Sequence, residues 1–238
     1  MLQALWSGVR SILIYFVALA SGAIVLRRFL RIPNEVFRKL LHFILLGSLL
    51  VWTLAFPEWW MAAGTALVFA AAVYPLLMLA EHWQGYSAFV TERSSGELKR
   101  SLLVVFAMYA LVAAICWGLL DEKLLALCSI YAWGFGDAAA ALVGKRLGRH
   151  GLTGRHIQGR KSVEGSLAMF IVSFLAVLTL LFFHGGMRWY AYPVIAMIVA
   201  AVSAAVELFT RNGMDTITCP LAAMAALLPL VYAFGGMV

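Results

Sequence analysis

Residues 163–183 read VEGSLAMFIVSFLAVLTLLFF, and this stretch decides the fold class. After Glu164 it contains no charged residue, and its apolar residues follow one another without the alternation that a membrane β-strand requires. A helix needs about 20 apolar residues to cross the hydrocarbon core of a bilayer. The stretch Val163–Phe183 therefore predicts a transmembrane α-helix.

The rest of the chain repeats this pattern between short polar segments. Seven further apolar runs cover Ser11–Leu26, Leu40–Phe56, Trp59–Ala80, Ser101–Leu120, Leu124–Gly144, Trp189–Thr210 and Thr216–Val238. The chain is 64% apolar and 12% charged, whereas a soluble domain is about 25% charged. We predict an all-α, polytopic membrane protein of about eight transmembrane helices, with residues 1–238 forming a single domain. We interpret the first run as a retained helix and not as a signal peptide, because it continues to Arg27-Arg28.

The basic residues are distributed unevenly between the two sides of such a protein. If all eight runs span the membrane, 15 of the 18 Lys and Arg residues lie on one side and three on the other. Loops rich in Lys and Arg stay in the cytoplasm. The distribution therefore predicts that the basic side is cytoplasmic and that both termini lie outside.

A first polar cluster opens the second run. Glu35, Arg38 and His42 have the spacing of one helix face, with Lys39 beside them, and Asn34 is a suitable N-cap. A positively charged membrane anchor with a local ion pair would explain Arg38 and Lys39. His42 lies a turn deeper in the apolar run, and for this reason we favour a functional role.

Asp137 lies inside the fifth run. It precedes Gly144 by seven residues, which places it roughly 10 Å from the cytoplasmic end of a helix. A carboxylate that faced lipid there would cost about 2.5–3.5 kcal/mol. We therefore expect Asp137 to face a polar cavity, a cation or a basic partner such as Lys145; a purely structural ion pair is the alternative.

The loop from Lys145 to Ser162 contains six Lys or Arg residues and four glycines. Glycines allow a backbone to wrap an anion, and a helix N-terminus adds free N–H groups. Ser162 is a suitable N-cap for the helix that follows. Binding of a polyphosphate and anchoring to anionic lipid are both compatible with this loop, and the regular glycines together with a buried Glu164 favour the polyphosphate.

A last polar cluster joins the seventh and eighth runs. Glu207 ends one predicted helix, and Asp215 either caps the next or joins Glu207 in binding Mg²⁺ through oxygen ligands. Carboxylates for a cation, basic groups for phosphates and apolar helices for lipid are the parts of a lipid phosphotransferase. A transporter would need polar residues through the membrane, and a scaffold needs no acidic residues at helix ends.

Cys116, Cys128 and Cys219 lie inside apolar runs and are expected to be packing residues.

Several segments resemble the membrane CTP-dependent lipid-alcohol kinases, a family of phytol kinases, dolichol kinases and yeast-type diacylglycerol kinases. The segments are Glu35–His42, Arg93–Arg100, Gly136–Lys145, Gly159–Ser166 and Glu207–Pro220. The segment Arg93–Glu97 looks closer to phytol and polyprenol kinases, and Asp215 is followed by Thr216 where the family often has Asn. A phosphatidate cytidylyltransferase would show a Lys-Asp pair and a Pro-Gly-His-Gly-Gly loop, which the sequence lacks.

The resemblance implies transfer of the γ-phosphoryl group of CTP, or of another nucleoside triphosphate, to a long-chain lipid alcohol at the cytoplasmic face. Its implied partners are the nucleotide, the alcohol and membrane lipids, with no nucleic acid; CTP-dependent diacylglycerol phosphorylation is the alternative. The implied catalytic residues are Asp137, Lys145 and Lys161. The implied nucleotide-binding residues are Arg38, Lys39, Lys145, Gly159, Arg160, Lys161, Ser162 and Gly165. The implied Mg²⁺ ligands are Asp137, Glu164, Glu207 and Asp215, and the other motif residues are Glu35, His42, Glu97 and Thr218.

Overall fold

Eight long apolar helices make up most of the part of the chain that the structure describes. The structure is a computed structural model, and the residues it describes are 1–30, 32–82, 86, 96–154, 157, 161–210 and 213–237. The helices are α1 (Leu2–Phe29), α2 (Asn34–Ala55), α3 (Trp59–Ala80), α4 (Glu97–Ala113), α5 (Lys123–Leu147), α6 (Val163–His184), α7 (Ala191–Phe209) and α8 (Asp215–Ala233). Within the described ranges each is long and apolar enough to cross a membrane, once the π-helical continuation of α4 is included. The prediction of an all-α polytopic membrane protein with about eight helices is confirmed.

Three helices, α1, α2 and α4, begin several residues before the corresponding apolar runs. α1 begins at Leu2 and α4 at Glu97, because the polar residues before each apolar run also tolerate helical geometry. α2 begins at Asn34, but Pro33 is its N-cap and no side chain caps its first turn. The prediction that Asn34 is the N-cap is therefore wrong.

The chain forms two compact units, Met1–Ala114 and Ile115–Val238. The boundary lies in a π-helical segment, Ala114–Leu119, that continues α4. A turn at Asp121, with a φ of 58°, then leads into α5. The single domain over residues 1–238 stays a prediction.

The first unit has an aromatic core in which Trp52 on α2 lies 4.8 Å from the Phe106 ring of α4. The Tyr109 and Thr53 hydroxyl groups form a buried hydrogen bond of 3.2 Å. At the charged end of the unit, Lys99 Nζ lies 2.5 Å from a carboxylate oxygen of Glu81. These contacts hold α2, α3 and α4 in register.

The second unit is built on a close contact between α5 and α6. A Cβ atom at Gly136 would overlap Ser173 Oγ and would lie 2.9 Å from Met169 Cγ. Towards the charged end, a Cβ atom at Gly165 would lie 3.0 Å from the Ala140 carbonyl oxygen. Small residues at such positions let two helix backbones approach, so these glycines fix the position of α5 against α6.

A short β-ladder that the sequence did not predict joins α5 to α6. β1 (Gly151–Leu152) pairs antiparallel with β2 (Lys161–Ser162), and Gly151 lies opposite Ser162. The ladder places Lys161 and Ser162 directly before α6. All three cysteines are buried and free, as expected for packing residues.

Candidate active site

Three carboxylates from three helices gather towards one end of the second unit. Glu207 lies in the last turn of α7, Asp215 is the first residue of α8, and Asp137 lies in α5. Asp137 and Asp215 are both close enough to Glu207 to act on its carboxylate electrostatically. The structure therefore brings together three residues that the sequence analysis selected from separate segments.

Lys161 supplies a positive charge to this group. Its Nζ atom lies 2.9 Å from Glu207 Oε1, and both side chains are mostly buried. The same ammonium group donates to the backbone carbonyls of Glu207 and Leu208. These bonds satisfy carbonyl groups at the C-terminal end of α7, where a cation is also favoured by the helix dipole. Lys161 thus ties β2 to the end of α7.

Asp215 has a hydrogen-bond partner that sequence reasoning missed. The indole N–H of Trp133 donates to Asp215 Oδ2 over 3.1 Å. The N-cap of α8 is Met214, with no side-chain cap bond, so the alternative that Asp215 is the N-cap is wrong. One signal was present in the sequence: Trp133 precedes Asp137 by four residues and so lies on the same face of α5.

Thr218 braces the α7–α8 turn. Its hydroxyl group lies 3.0 Å from that of Thr210 and donates to the Met214 carbonyl over 3.0 Å. Thr218 therefore contacts the segments that carry Glu207 and Asp215.

The start of α6 agrees in part with the sequence analysis. Ser162 is the N-cap, and its Oγ atom accepts a 3.1 Å hydrogen bond from the Gly165 amide. Glu164 is partly exposed and not buried as expected. Its carboxylate accepts bonds from the backbone N–H of His150, at 3.2 Å, and from the His150 ring, at 2.7 Å. Glu164 therefore holds the beginning of the hairpin.

Of the remaining nucleotide-binding candidates of this unit, the structure describes Lys145. Lys145 is exposed in the last turn of α5. Gly159 and Arg160 lie outside the described residues, as does the Arg93–Ser95 part of the resembling segment in the first unit. Lys145 and Lys161 thus flank the chain segment in which Gly159 and Arg160 are found.

The first unit has its own polar cluster, centred on Arg38. The guanidinium group pairs with Glu35, as the spacing predicted, and its Nη1 atom also lies 3.2 Å from Glu97 Oε1. Lys39, the next residue of α2 after Arg38, is buried. The ring centroids of His42 and Phe43 lie 6.3 Å apart. Arg38 thus connects the beginnings of α2 and α4 through two carboxylates.

The arrangement of carboxylates in the second unit can be compared with the ligand sets that bind Mg²⁺ in proteins. Among the residues that the structure describes, no group of three or more His, Cys, Asp or Glu side chains is arranged to hold a metal ion. Magnesium sites in phosphoryl-transfer enzymes usually take one or two carboxylates, with the remaining ligands from water and substrate phosphates. Asp137, Asp215 and Glu207 do not form an all-protein cage, and a site shared with substrate phosphates would need only one or two of them.

Comparison with known proteins gives one relevant relative. The chain is 33% identical to the phytol kinase of Synechocystis sp. over 225 residues, which is 91% of this chain and 88% of the relative. No protein-family model and no solved structure matches the chain.

Proposed function

The chain belongs to the phytol kinase family, and from this membership we propose that it transfers the γ-phosphoryl group of CTP to the hydroxyl group of a long-chain isoprenoid alcohol. Phytol, geranylgeraniol and polyprenols are the proposed acceptors. The coarser activity follows from the family itself: the protein is an integral membrane kinase that phosphorylates a lipid alcohol. We place the reaction at the cytoplasmic face, where 15 of the 18 Lys and Arg residues are expected to lie.

The observation that carries the proposed site is the grouping of Asp137, Glu207 and Asp215 with Lys161 at one end of the second unit. Phosphoryl transfer requires little covalent chemistry from the protein, and its main requirements are positioning and neutralisation of charge. A lysine beside carboxylates at the end of a helix bundle can meet both requirements. The lysine faces phosphate oxygens, and the carboxylates supply ligands for a cation.

We assign the residues of this group to separate roles. Glu207 is bound by Lys161 and Asp215 by Trp133, so each carboxylate is held in a fixed orientation. Asp137 accepts the proton of the acceptor hydroxyl group in this proposal. Mg²⁺, when bound, supplies charge neutralisation to the β- and γ-phosphate oxygens. Asp215 and Glu207 are the residues that would hold it, which leaves Asp137 for the proton.

The triphosphate is assigned to the basic residues around the hairpin. Lys161 and Lys145, with Arg160 and Gly159, would contact its oxygens. Ser162 caps the N-terminus of α6 by accepting a hydrogen bond from the Gly165 amide, and Gly165 lets α6 pack closely against α5. Arg38 and Lys39 remain proposed nucleotide contacts, although Arg38 already pairs with two carboxylates.

The proposal is tested by phosphoryl transfer in detergent micelles with Mg²⁺. Purified protein receives γ-labelled CTP or ATP and one alcohol from a panel of phytol, geranylgeraniol, farnesol, a polyprenol, dolichol and diacylglycerol. We expect labelled isoprenoid phosphate with CTP as the better donor. We expect Asp137→Asn to lower kcat by about 100-fold or more, in the range of a lost acid–base group.

Asp121→Asn is the matched control for this experiment. It makes the same change at an exposed turn beside the other end of α5, and an asparagine accepts the positive φ of that turn as readily as an aspartate. Its activity should equal that of the wild type. Near-wild-type turnover of Asp137→Asn would remove Asp137 from the mechanism. A second outcome would contradict the kinase assignment. If no donor and acceptor gave a labelled product, and α-labelled CTP with phosphatidate then gave a labelled lipid, the protein would be a cytidylyltransferase.

A further inference from the structure

Ser203 on α7 is fully buried, and its hydroxyl group forms no hydrogen bond with any residue that the structure describes. A buried serine or threonine in a helix can donate to the carbonyl group four residues earlier. Ser129 does so to Leu125 over 2.9 Å, and Thr53 to Leu49 over 2.8 Å. A buried polar group without a partner lowers stability, and native proteins keep few of them. The side chain of Ser203 therefore requires an explanation other than packing.

The position of Ser203 relates it to the candidate site. Ser203 precedes Glu207 by four residues, so the two lie on the same face of α7. Both side chains face the interior of the second unit, because Ser203 is fully buried and Glu207 keeps 15% of its side chain exposed. On α8, the Cys219 thiol lies 3.9 Å from the Ser203 carbonyl oxygen. The same thiol is close enough to the three carboxylates of the site to interact with them electrostatically. Ser203 thus lies next to the carboxylates.

The Glu207 carboxylate already has a donor in the structure. Lys161 Nζ lies 2.9 Å from Glu207 Oε1, and it also donates to the backbone carbonyls of Glu207 and Leu208. These bonds hold the carboxylate at the C-terminal end of α7. If Lys161 turns to the triphosphate, as proposed above, Glu207 loses its donor while it remains buried. A buried carboxylate that loses its partner is costly, so the site needs a second donor at that moment.

We propose that Ser203 is a positioning residue for Glu207, and that its hydroxyl group donates to the Glu207 carboxylate when Lys161 turns to the triphosphate. The inference rests on the proposed function for the movement of Lys161. A long side chain in a helix leans back over the residue four positions earlier, so the Glu207 carboxylate can reach Ser203 by rotation of its own side chain. A donor without an acceptor and an acceptor that loses its donor thus satisfy each other.

This hydrogen bond would also orient Glu207 as a ligand. One carboxylate oxygen accepts from Ser203, and the other remains available for Mg²⁺. Groups that hydrogen-bond a metal ligand fix its orientation, and losing one typically costs about 10- to 100-fold in metal affinity or activity. The Ser203 hydroxyl group therefore couples binding of the triphosphate by Lys161 to the orientation of Glu207.

Ser203→Ala tests the inference, with Ser129→Ala on α5 as the matched control. Both remove a fully buried hydroxyl group from a helix of the second unit, but that of Ser129 already has a partner. Without nucleotide or Mg²⁺, Ser203→Ala should unfold in detergent at the wild-type Tm or above it, because the change removes an unsatisfied polar group. Ser129→Ala should unfold at a lower Tm, because it loses a buried hydrogen bond.

The second measurement is a Mg²⁺ titration in the presence of CTP. For Ser203→Ala we expect half-maximal thermal stabilisation, and half-maximal kinase activity, to require about tenfold more Mg²⁺ than for the wild type. Ser129→Ala should match the wild type in both. In a Glu207→Ala background, adding Ser203→Ala should raise the Mg²⁺ requirement no further, because the carboxylate that Ser203 positions is gone.

Three results would overturn the positioning role and leave the kinase assignment intact. The first is a Tm of Ser203→Ala below that of the wild type without ligands, which would mean that the hydroxyl group already has a partner. The second is an unchanged Mg²⁺ requirement of Ser203→Ala with an active wild type. The third is an additive effect in the Glu207→Ala background. A wild type that is not stabilised by CTP and phosphorylates no alcohol would instead remove the proposed function, and the positioning role with it.

Discussion

At the scale of single residues, Lys161 combines a structural bond with a proposed catalytic role. Its ammonium group is shared between the Glu207 carboxylate and two backbone carbonyls at the end of α7. The same charge is the one that we assign to the triphosphate. A double-mutant cycle on stability tests the structural role, because Lys161 stabilises the fold through the charge of Glu207.

Lys161→Met should lower the free energy of unfolding by about 1–3 kcal/mol, because the Glu207 carboxylate loses its lysine while Asp137 and Asp215 stay nearby. Adding Glu207→Gln should restore most of this stability by removing the unmatched charge. Kinase activity should stay low in the double variant. Thermal unfolding in detergent and the labelled-CTP assay give the two readouts, and Lys123→Met at the other end of α5 is the control. A double variant with restored activity would show that Lys161 acts only through the fold.

At the scale of elements, the α5–α6 contact decides where Asp137 lies. Gly136 is adjacent to Asp137 and faces Ser173 and Met169 of α6. Ser173 in turn donates a hydrogen bond to the Ala132 carbonyl of α5. Any side chain at position 136 would therefore push α6 away from the helix that carries the proposed base.

Gly136→Ala should lower the free energy of unfolding by about 1–3 kcal/mol, the usual cost of overpacking a close contact. The control Gly64→Ala should instead be neutral or stabilising by up to about 1 kcal/mol, since alanine is the better helix former and the site is open. Thermal unfolding in the same detergent compares the two proteins. Equal stability of both would mean that α6 can shift at no cost.

Element types were predictable, but several contacts were not. The apolar runs predicted eight helices because only continuous helices satisfy the backbone in lipid. The β1–β2 ladder lies in a Gly- and Arg-rich loop without apolar alternation, so no period-2 pattern indicated it. The spacing of Glu35 and Arg38 predicted their ion pair, whereas Glu97 is 59 residues from Arg38. No local pattern specifies a partner at such a distance.

At the scale of the whole molecule, the uneven distribution of basic residues predicts orientation. With eight spans, an external N-terminus and an external C-terminus go together. Fusion of alkaline phosphatase to the C-terminus should give an active reporter in a bacterial host, and fusion after Gly151 should not. The control is a fluorescent protein that matures only in the cytoplasm, fused at the same two sites. It should fluoresce after Gly151 and stay dark at the C-terminus. An active phosphatase at the hairpin would reverse the proposed face of the reaction.

Most residues of the candidate site could be selected from the sequence, because polar residues are rare in this chain and each one therefore stands out. Asp137 could be selected because a carboxylate in an apolar run is costly unless it has a function, and Glu207 and Asp215 because two carboxylates flank the turn between two helices. Glu164 was selected as a buried carboxylate beside the basic, glycine-rich loop, yet the structure leaves it partly exposed and pairs it with His150. Trp133 was not selected, because an aromatic residue in a membrane helix is ordinary until its N–H group is seen to face a carboxylate.

The first unit has an open groove between α1 and α2 that is lined by apolar residues, among them Leu19, Leu26 and Phe43. Leu19 and Leu26 keep 41% and 40% of their surface exposed at its rim. An apolar molecule that enters there arrives by diffusion in the plane of the bilayer and never crosses water. Occupancy then follows the number of such molecules per unit area of membrane, and not the number per litre of cell. A molecule that is almost undetectable by volume can therefore saturate the groove if the membrane that holds it is small.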